Sequence, residues 1–202
     1  MRAEDWDRRY AAVELVWSAG PNRLVADQTA DLPPGRALDL ACGEGRNALW
    51  LAGRGWRVVA ADFSAVALGK GRRLAGAAPR GDAVTWVEAD VTTWDPPGPF
   101  DLVVIAYLQL DADELAAALG PVLPAVAPGG TVLVVGHDRR NIAEGVGGPQ
   151  DPTVLLDPAT VTALLPGLVI ERAETVERPV DGADRPALDT LVRAHRPVTP
   201  AS

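Results

Sequence analysis

The chain has 202 residues, with 27 acidic and 19 basic side chains and a formal net charge of −8 at pH 7, so it offers no broad basic surface to a phosphate backbone and nucleic acid is not expected as a partner. The length suits one domain with a full core, no apolar run approaches the ~20 residues that span a bilayer, and the opening Met1-Arg-Ala-Glu-Asp-Trp6 lacks an apolar signal core. A single cysteine, Cys42, fits a reducing compartment, and with only two histidines, far apart in sequence, no metal constellation is expected; the composition reads as a cytoplasmic protein without membrane segments.

In chain order, residues 1–34 form a helical arm. Trp6, Tyr10, Val13 and Trp17 recur at helical spacing and make one apolar face. Ser18-Ala-Gly-Pro21 interrupts it, and Pro21 suits the first turn of a second helix reaching about Ala30. The arm either packs into the core or closes over a ligand. The following stretch, Arg36-Ala-Leu-Asp-Leu-Ala-Cys-Gly-Glu-Gly-Arg-Asn47, reads as a buried strand, a glycine turn and a helix start. Gly43 and Gly45 permit positive φ and close backbone approach, and the helix opening near Arg46 presents free N–H groups, so the turn is a cradle for a nucleotide-type ligand. Its spacing, Gly43, Gly45 and Ala48, departs from G-x-G-x-x-G at the third position. A second strand, Arg57 to Ala61, ends in Asp62, where a carboxylate can accept from ribose hydroxyls. A dinucleotide enzyme needs that acid too, but has no need of Asp39 inside the first strand or of Asp90 after the third, Val84 to Ala89.

These residues resemble the class I S-adenosylmethionine-dependent methyltransferases: Asp39-Leu-Ala-Cys-Gly43-Glu-Gly45 matches their first motif, Asp62 the second-strand acid, and Asp90-Val91 the third. Gly-Glu-Gly-Arg-Asn followed by Trp50-Leu51-Ala52 is similar to the small tellurite-resistance and thiopurine-methyltransferase-like branch. The resemblance implies S-adenosylmethionine as cofactor. It places Gly43 and Gly45 near the methionyl end, Asp62 at the ribose and Asp90 facing the adenine amino group beside Val91, with Asp39 and Ala41 also in the cofactor-binding set. Phe63, Ala106 and, from the arm, Trp17 join that set. Arg46 and Asn47 reach the cofactor carboxylate or cap the helix. Cys42 is a small filler rather than a catalytic thiol.

Further on, Ser64 caps a helix to about Ala77, Phe100 to Ala106 is a central fourth strand, Asp111-Ala-Asp-Glu114 has the capping-box spacing of a helix to about Val126 that Pro121 and Pro124 divide, and Thr131 to Val135 is the fifth strand. Repeating strand–helix units demand a parallel sheet covered on both faces. Asp157-Pro158 starts one more helix. Leu168–Arg178 and Ala187–Arg196 then read as an antiparallel hairpin. The fold that the resemblance implies is α/β: a Rossmann-like, doubly wound, seven-stranded sheet, mostly parallel, with a C-terminal antiparallel hairpin and a helical N-terminal arm. The whole chain, 1–202, forms one domain: the arm (1–34), a cofactor-binding core (36–136), a glycine-rich loop read as a substrate lid (137–157), and a final helix with the hairpin (158–196).

A sulfonium methyl group is already activated, so the protein has to align an acceptor and exclude water; an oxygen or nitrogen acceptor also needs a base. Strands four and five end at Tyr107 and His137. His137 is the candidate base or orienting group, with Asp138 fixing its tautomer or capping the next turn, and Tyr107 a candidate pocket hydroxyl. Arg139 and Arg140 either hold an anionic acceptor or form a solvated face. His195 reads as surface. The function expected is methyl transfer to a small molecule carrying a thiol, chalcogen, oxygen or nitrogen nucleophile. The rival readings are a cofactor-binding protein without catalysis and a nicotinamide-dependent oxidoreductase. Nothing in the sequence defines an oligomeric state.

Overall fold

A computed structural model of the chain describes residues 3–13, 15 and 20–198; Trp17 lies outside them. The arm contains α1 (Ala3–Ala11) and α2 (Arg23–Thr29). α2 starts at Asn22, whose side chain accepts from the Val25 N–H at 3.1 Å, because the first turn of a helix leaves donors without partners. The core follows as β1 (Arg36–Leu40), α3 (Arg46–Gly53), β2 (Arg57–Asp62), α4 (Ala65–Ala75), β3 (Val84–Glu88), β4 (Phe100–Ala106), α5 (Ala112–Val122) and β5 (Val126–His137). Ser64 caps α4 through the Ala67 N–H, and Asp111 with Glu114 forms a reciprocal capping box on α5. After β5 come α6 (Asn141–Glu144), α7 (Pro158–Ala163), β6 (Val169–Arg178) and β7 (Ala187–His195).

The sheet order is β3-β2-β1-β4-β5-β7-β6. β1 to β5 are parallel, and β7 runs antiparallel to both β5 and β6. Alternation of side chains along the strands feeds two cores. Leu38, Leu40, Val103 and Ile105 pack with Leu115 and Leu119 of α5 and Val161 of α7. Ala37, Leu102 and Val104 pack on the other face with Val25 of α2, Leu51 of α3 and Leu68 of α4. Both faces are therefore covered, which is why the strands read as nearly continuous apolar runs. From β1 the chain builds outward to β3 and then returns to β4, so a crevice opens at the carboxyl ends of β1 and β4, where open α/β sheets bind ligands.

Three local details differ from the sequence reading. α5 ends at Val122 and tightens into a 3₁₀ turn, Leu123–Ala125: Pro121 and Pro124 lack the donors a longer helix needs. β5 begins at Val126, five residues before Thr131, with a register shift opposite Phe100 and Leu102. A Cβ at Gly130 would sit 2.7 Å from the Phe100 carbonyl, so glycine permits that close pairing. The 137–157 segment also carries structure of its own: α6, a 3₁₀ turn at Pro152–Val154 and a bridge between Asp138 and Leu156. Buried Asn141 accepts from the Leu188 N–H at 2.7 Å and donates to the Gly147 carbonyl at 2.8 Å, tying the segment to β7.

Candidate functional site

At the two strand ends that flank the crevice, non-glycine residues take positive φ: Ala41 at 56° after β1 and Tyr107 at 60° after β4. Such conformations are uncommon outside glycine and concentrate at ligand sites. Gly43 at 56° and Gly45 at 77° complete the turn. At Gly45 two demands coincide, since a Cβ there would also lie 2.3 Å from the Trp86 ring. Cys42, buried beside them, has its thiol pushed well up by burial and by the carboxylates of Asp39 and Asp62, which suits a filler and not a nucleophile.

Three carboxylates surround the turn. Asp39 is 1% exposed, and its Oδ2 has no hydrogen-bond partner among the described residues. Burial raises its pKa to about 7. Asp62 ends β2 and uses both oxygens: Oδ2 accepts from the Gly43 N–H and Oδ1 from the Ser64 N–H, each at 2.8 Å. Burial raises its pKa in spite of those donors. Asp90 accepts from the Thr92 N–H and hydroxyl, which sets the loop after β3. Asp62, Phe63, Asp90 and Val91 line one narrow cleft of about 70 Å³. Gly43, Arg46, Asn47, Ala106, Tyr107 and His137 line a second cavity of about 600 Å³. The two share Trp6, Tyr10, Ala41 and Tyr107 in their walls, so they are contiguous. Asn47 also anchors the arm, its Oδ1 accepting from the Asn22 N–H at 2.9 Å.

Trp6 and Tyr10 bring α1 over both cavities, and a buried cation holds that helix in place. Lys70, the one lysine of the chain, lies on α4 at 8% exposure and donates to the carbonyls of Tyr10 and Val13, at the helix end whose carbonyls need donors, and to Glu44 Oε1 at 3.1 Å. Glu44 is the residue between the two glycines. Lys70→Met removes one partner of a buried pair, and we expect a loss of about 3 kcal/mol in a denaturant titration, partly recovered when Glu44→Gln is added, together with weaker ligand binding as the arm loosens.

The other end of the large cavity is built on Asp189, which is fully buried on β7. Its Oδ2 accepts from the Tyr107 hydroxyl and from Arg178 Nε, both at 2.6 Å. His137 Nδ1 lies 3.4 Å from its Oδ1, an ion-pair distance without hydrogen-bond alignment. Burial alone would raise the Asp189 pKa, but His137, Arg178 and Tyr107 together hold it below the usual carboxylate value. The Tyr107 phenol is pushed up, first by burial and then by the Asp189 charge, so it stays protonated and donates.

Asp138 does not fix the His137 tautomer. One residue further along the chain, it faces away and accepts from the hydroxyls of Thr175 and Thr190, both at 2.8 Å, and from the Arg140 N–H that begins the next turn. Arg139 and Arg140 pair with Asp157 and Glu144 and line neither cavity. His195 pairs with Glu171 opposite Thr131, at the other end of the β5–β7 pairing from His137. Asp189 and Arg178 escaped the sequence reading. The available signal was an acid inside the apolar run Ala187 to Ala194, the same sign that singled out Asp39.

The fold is thus a doubly wound sheet with a glycine turn at the switch point and an acid at each of its first three strands. Residues 37–130 match the family model described as a methyltransferase domain. Over 134 residues the chain is 40% identical to demethylmenaquinone methyltransferase of Thermus thermophilus, covering 63% of this chain and 60% of that one. It is 28% identical over 149 residues to thiocyanate methyltransferase 1 of Arabidopsis thaliana, covering 71% and 64%. Among solved structures, the glycopeptide N-methyltransferase MtfA complexed with S-adenosylmethionine shares the fold, with a TM-score of 0.68 at 22% identity over 89% of this chain and 88% of that one. Over residues 37–130 the chain is similar to methyltransferase domains that use S-adenosylmethionine. It spans 60% and 64% of the lengths of those two curated relatives. The residues fit the cofactor of those domains: an unpartnered buried carboxylate oxygen, a turn with room only for glycine, and two further acids lie around one continuous space.

Proposed function

We propose that this protein transfers a methyl group from S-adenosylmethionine to a small-molecule acceptor. The observation that carries the reading is the unpartnered Oδ2 of Asp39, a buried acceptor beside the glycine turn that suits an ammonium group. Gly43 and Gly45 admit the methionyl chain, and Arg46 and Asn47, in the first turn of α3, take its carboxylate. Asp62 accepts from the ribose hydroxyls, using lone pairs beyond those directed at Gly43 and Ser64. Phe63, Asp90 and Val91 take the adenine, with Ala41 and Ala106 as small walls at the strand ends. When bound, the cofactor supplies an activated methyl group on a sulfonium.

The protein's own part is to orient the acceptor and keep water out. Trp6 and Tyr10 form the roof and are held down by Lys70. The 137–157 segment, through Gly148 against the His137 ring, serves as the cover on the acceptor side of a single domain running through 1–202. The acidic net charge supports a small molecule over nucleic acid, and a lone buried thiol supports a cytoplasmic location.

Thermal unfolding with S-adenosylmethionine, S-adenosylhomocysteine and NADH tests the reading. A ligand of the native state present at a hundredfold excess over its Kd stabilises by about 2.7 kcal/mol, so the first two raise the midpoint and NADH does not. Stabilisation by NADH alone overturns the assignment. Turnover in a screen of thiol, phenol and amine acceptors separates an enzyme from a protein that only binds the cofactor.

A further inference from the structure

His137 is held on three sides. The register of β5 against β7 makes it the cross-strand partner of Asp189. Tyr107 meets the ring edge-on, with centroids 4.9 Å apart. Gly148, at φ 73°, backs onto the ring so closely that a Cβ would sit 3.0 Å from Nδ1. His137 Nδ1 and Asp189 Oδ1 are both buried, and neither has a hydrogen-bond partner among the described residues. Across the 3.4 Å between them, a proton on Nδ1 faces the carboxylate charge at ion-pair distance. An unprotonated Nδ1 sets its lone pair against a carboxylate lone pair and leaves two buried acceptors without a donor. The other oxygen of Asp189 is already occupied by Tyr107 and Arg178, so the carboxylate cannot rotate without breaking those bonds.

Resting on the methyltransferase reading, we propose that Asp189 is the positioning residue that keeps neutral His137 as the Nδ1–H tautomer, leaving Nε2 to take a proton from the methyl acceptor, and that the acceptor is a protic nucleophile arriving with its X–H bond intact. In the transfer, the acceptor's X–H bond breaks as its X–C bond forms. The X–H electron pair becomes the new bond, the proton goes to His137 Nε2, and the S–C pair returns to sulfur. Of the groups around His137, Tyr107 donates its own proton to Asp189, Arg178 is a cation, and Asp181 is exposed at the rim.

The chain has only two histidines, so ¹⁵N-histidine NMR reads each ring directly, with His195→Gln assigning the second. At a pH where the imidazole is neutral, the wild-type His137 is expected as Nδ1–H. In Asp189→Asn the amide oxygen stays with the two donors, Tyr107 and Arg178, which turns the amide NH₂ toward Nδ1 and inverts the tautomer to Nε2–H. A wild-type ring protonated on Nε2, or a tautomer that ignores the substitution, overturns the proposal; the wild-type spectrum decides even if the variant fails to fold. In turnover with S-adenosylmethionine, Asp189→Asn is expected to lose about 100-fold or more on hydroquinone and far less on thiophenol, which is already a thiolate at pH 8. A protein that methylates only the thiolate, and none of a panel of phenols and amines, overturns the acceptor class. Calorimetry with S-adenosylmethionine runs alongside: failure of cofactor binding removes the methyltransferase reading, while wrong tautomers with the cofactor bound remove this proposal alone.

Discussion

Asp39→Asn is expected to be more stable than the wild-type protein at pH 8 and to bind S-adenosylmethionine more weakly. Burial raises the Asp39 pKa to about 7 from its ordinary value of 3.8. Between those two values the folded state keeps a proton that the unfolded state has released, so stability falls as pH rises through this window, and the loss is complete above the folded pKa. At 1.36 kcal/mol per unit the ionised carboxylate costs the fold about 4 kcal/mol. Asparagine has nearly the same shape and no charge, but its buried NH₂ costs part of the gain, about 1–3 kcal/mol. The net advantage at pH 8 is therefore about 1–3 kcal/mol, and below pH 4 it disappears or reverses, because the wild-type side chain is then neutral in both states. Urea titrations of both proteins at pH 4, 6 and 8 measure this. Loss of a charge-assisted bond to the ammonium group weakens cofactor binding by about 10- to 100-fold, read by calorimetry at pH 8. Equal stability at all three pH values, or unchanged affinity, would show that Asp39 has another role. The combination sought is a group that lowers stability in order to bind.

Gly45→Ala is expected to damage fold and site together. At φ 77° an alanine meets left-handed strain of about 1–2 kcal/mol, and its Cβ would lie 2.3 Å from the Trp86 ring. Moving that ring disturbs its seat against Gly71, where a Cβ would also come within 2.4 Å. Overpacking of this kind adds about 1–3 kcal/mol. A total loss of about 2–5 kcal/mol should appear as a lower urea midpoint with little change in slope. Trp86→Ala in the same background relieves the steric part and leaves the backbone part, so the double variant separates the two causes. Cofactor affinity should stay low in both, because the turn that admits the methionyl chain is distorted either way.

The cofactor half of the crevice was legible because its parts are local. The acid of β1, the two glycines and the start of α3 lie within nine residues, Asp39 to Asn47, and strand propensity, φ requirements and helix capping act over that range. Asp62 and Asp90 follow at the ends of the next two strands by the same repeat. The 137–157 segment was harder. Its glycines suggested an unstructured loop, whereas Asn141 and Asp138 tie it to β6 and β7 through bonds to Leu188, Thr175 and Thr190. Those partners lie 37 to 52 residues away, and no local pattern announces them. Glu44 and Lys70 are the same case at a separation of 26.

Periodicity and turn chemistry alone thus determined the alternating strands and helices, the doubly wound sheet with its antiparallel end, and the place where a nucleotide-like cofactor meets the glycine turn. The acceptor end was decided only by tertiary structure. Tyr107, His137, Arg178 and Asp189 come from the end of β4 and from β5, β6 and β7, and they meet because β7 pairs with β5 so that His137 stands opposite Asp189. A slip of one residue would turn Asp189 to the other face of the sheet and place Leu188 or Thr190 in its stead. Strand register of this kind is fixed by long-range pairing and by the burial of both sheet faces, which no short stretch of sequence contains.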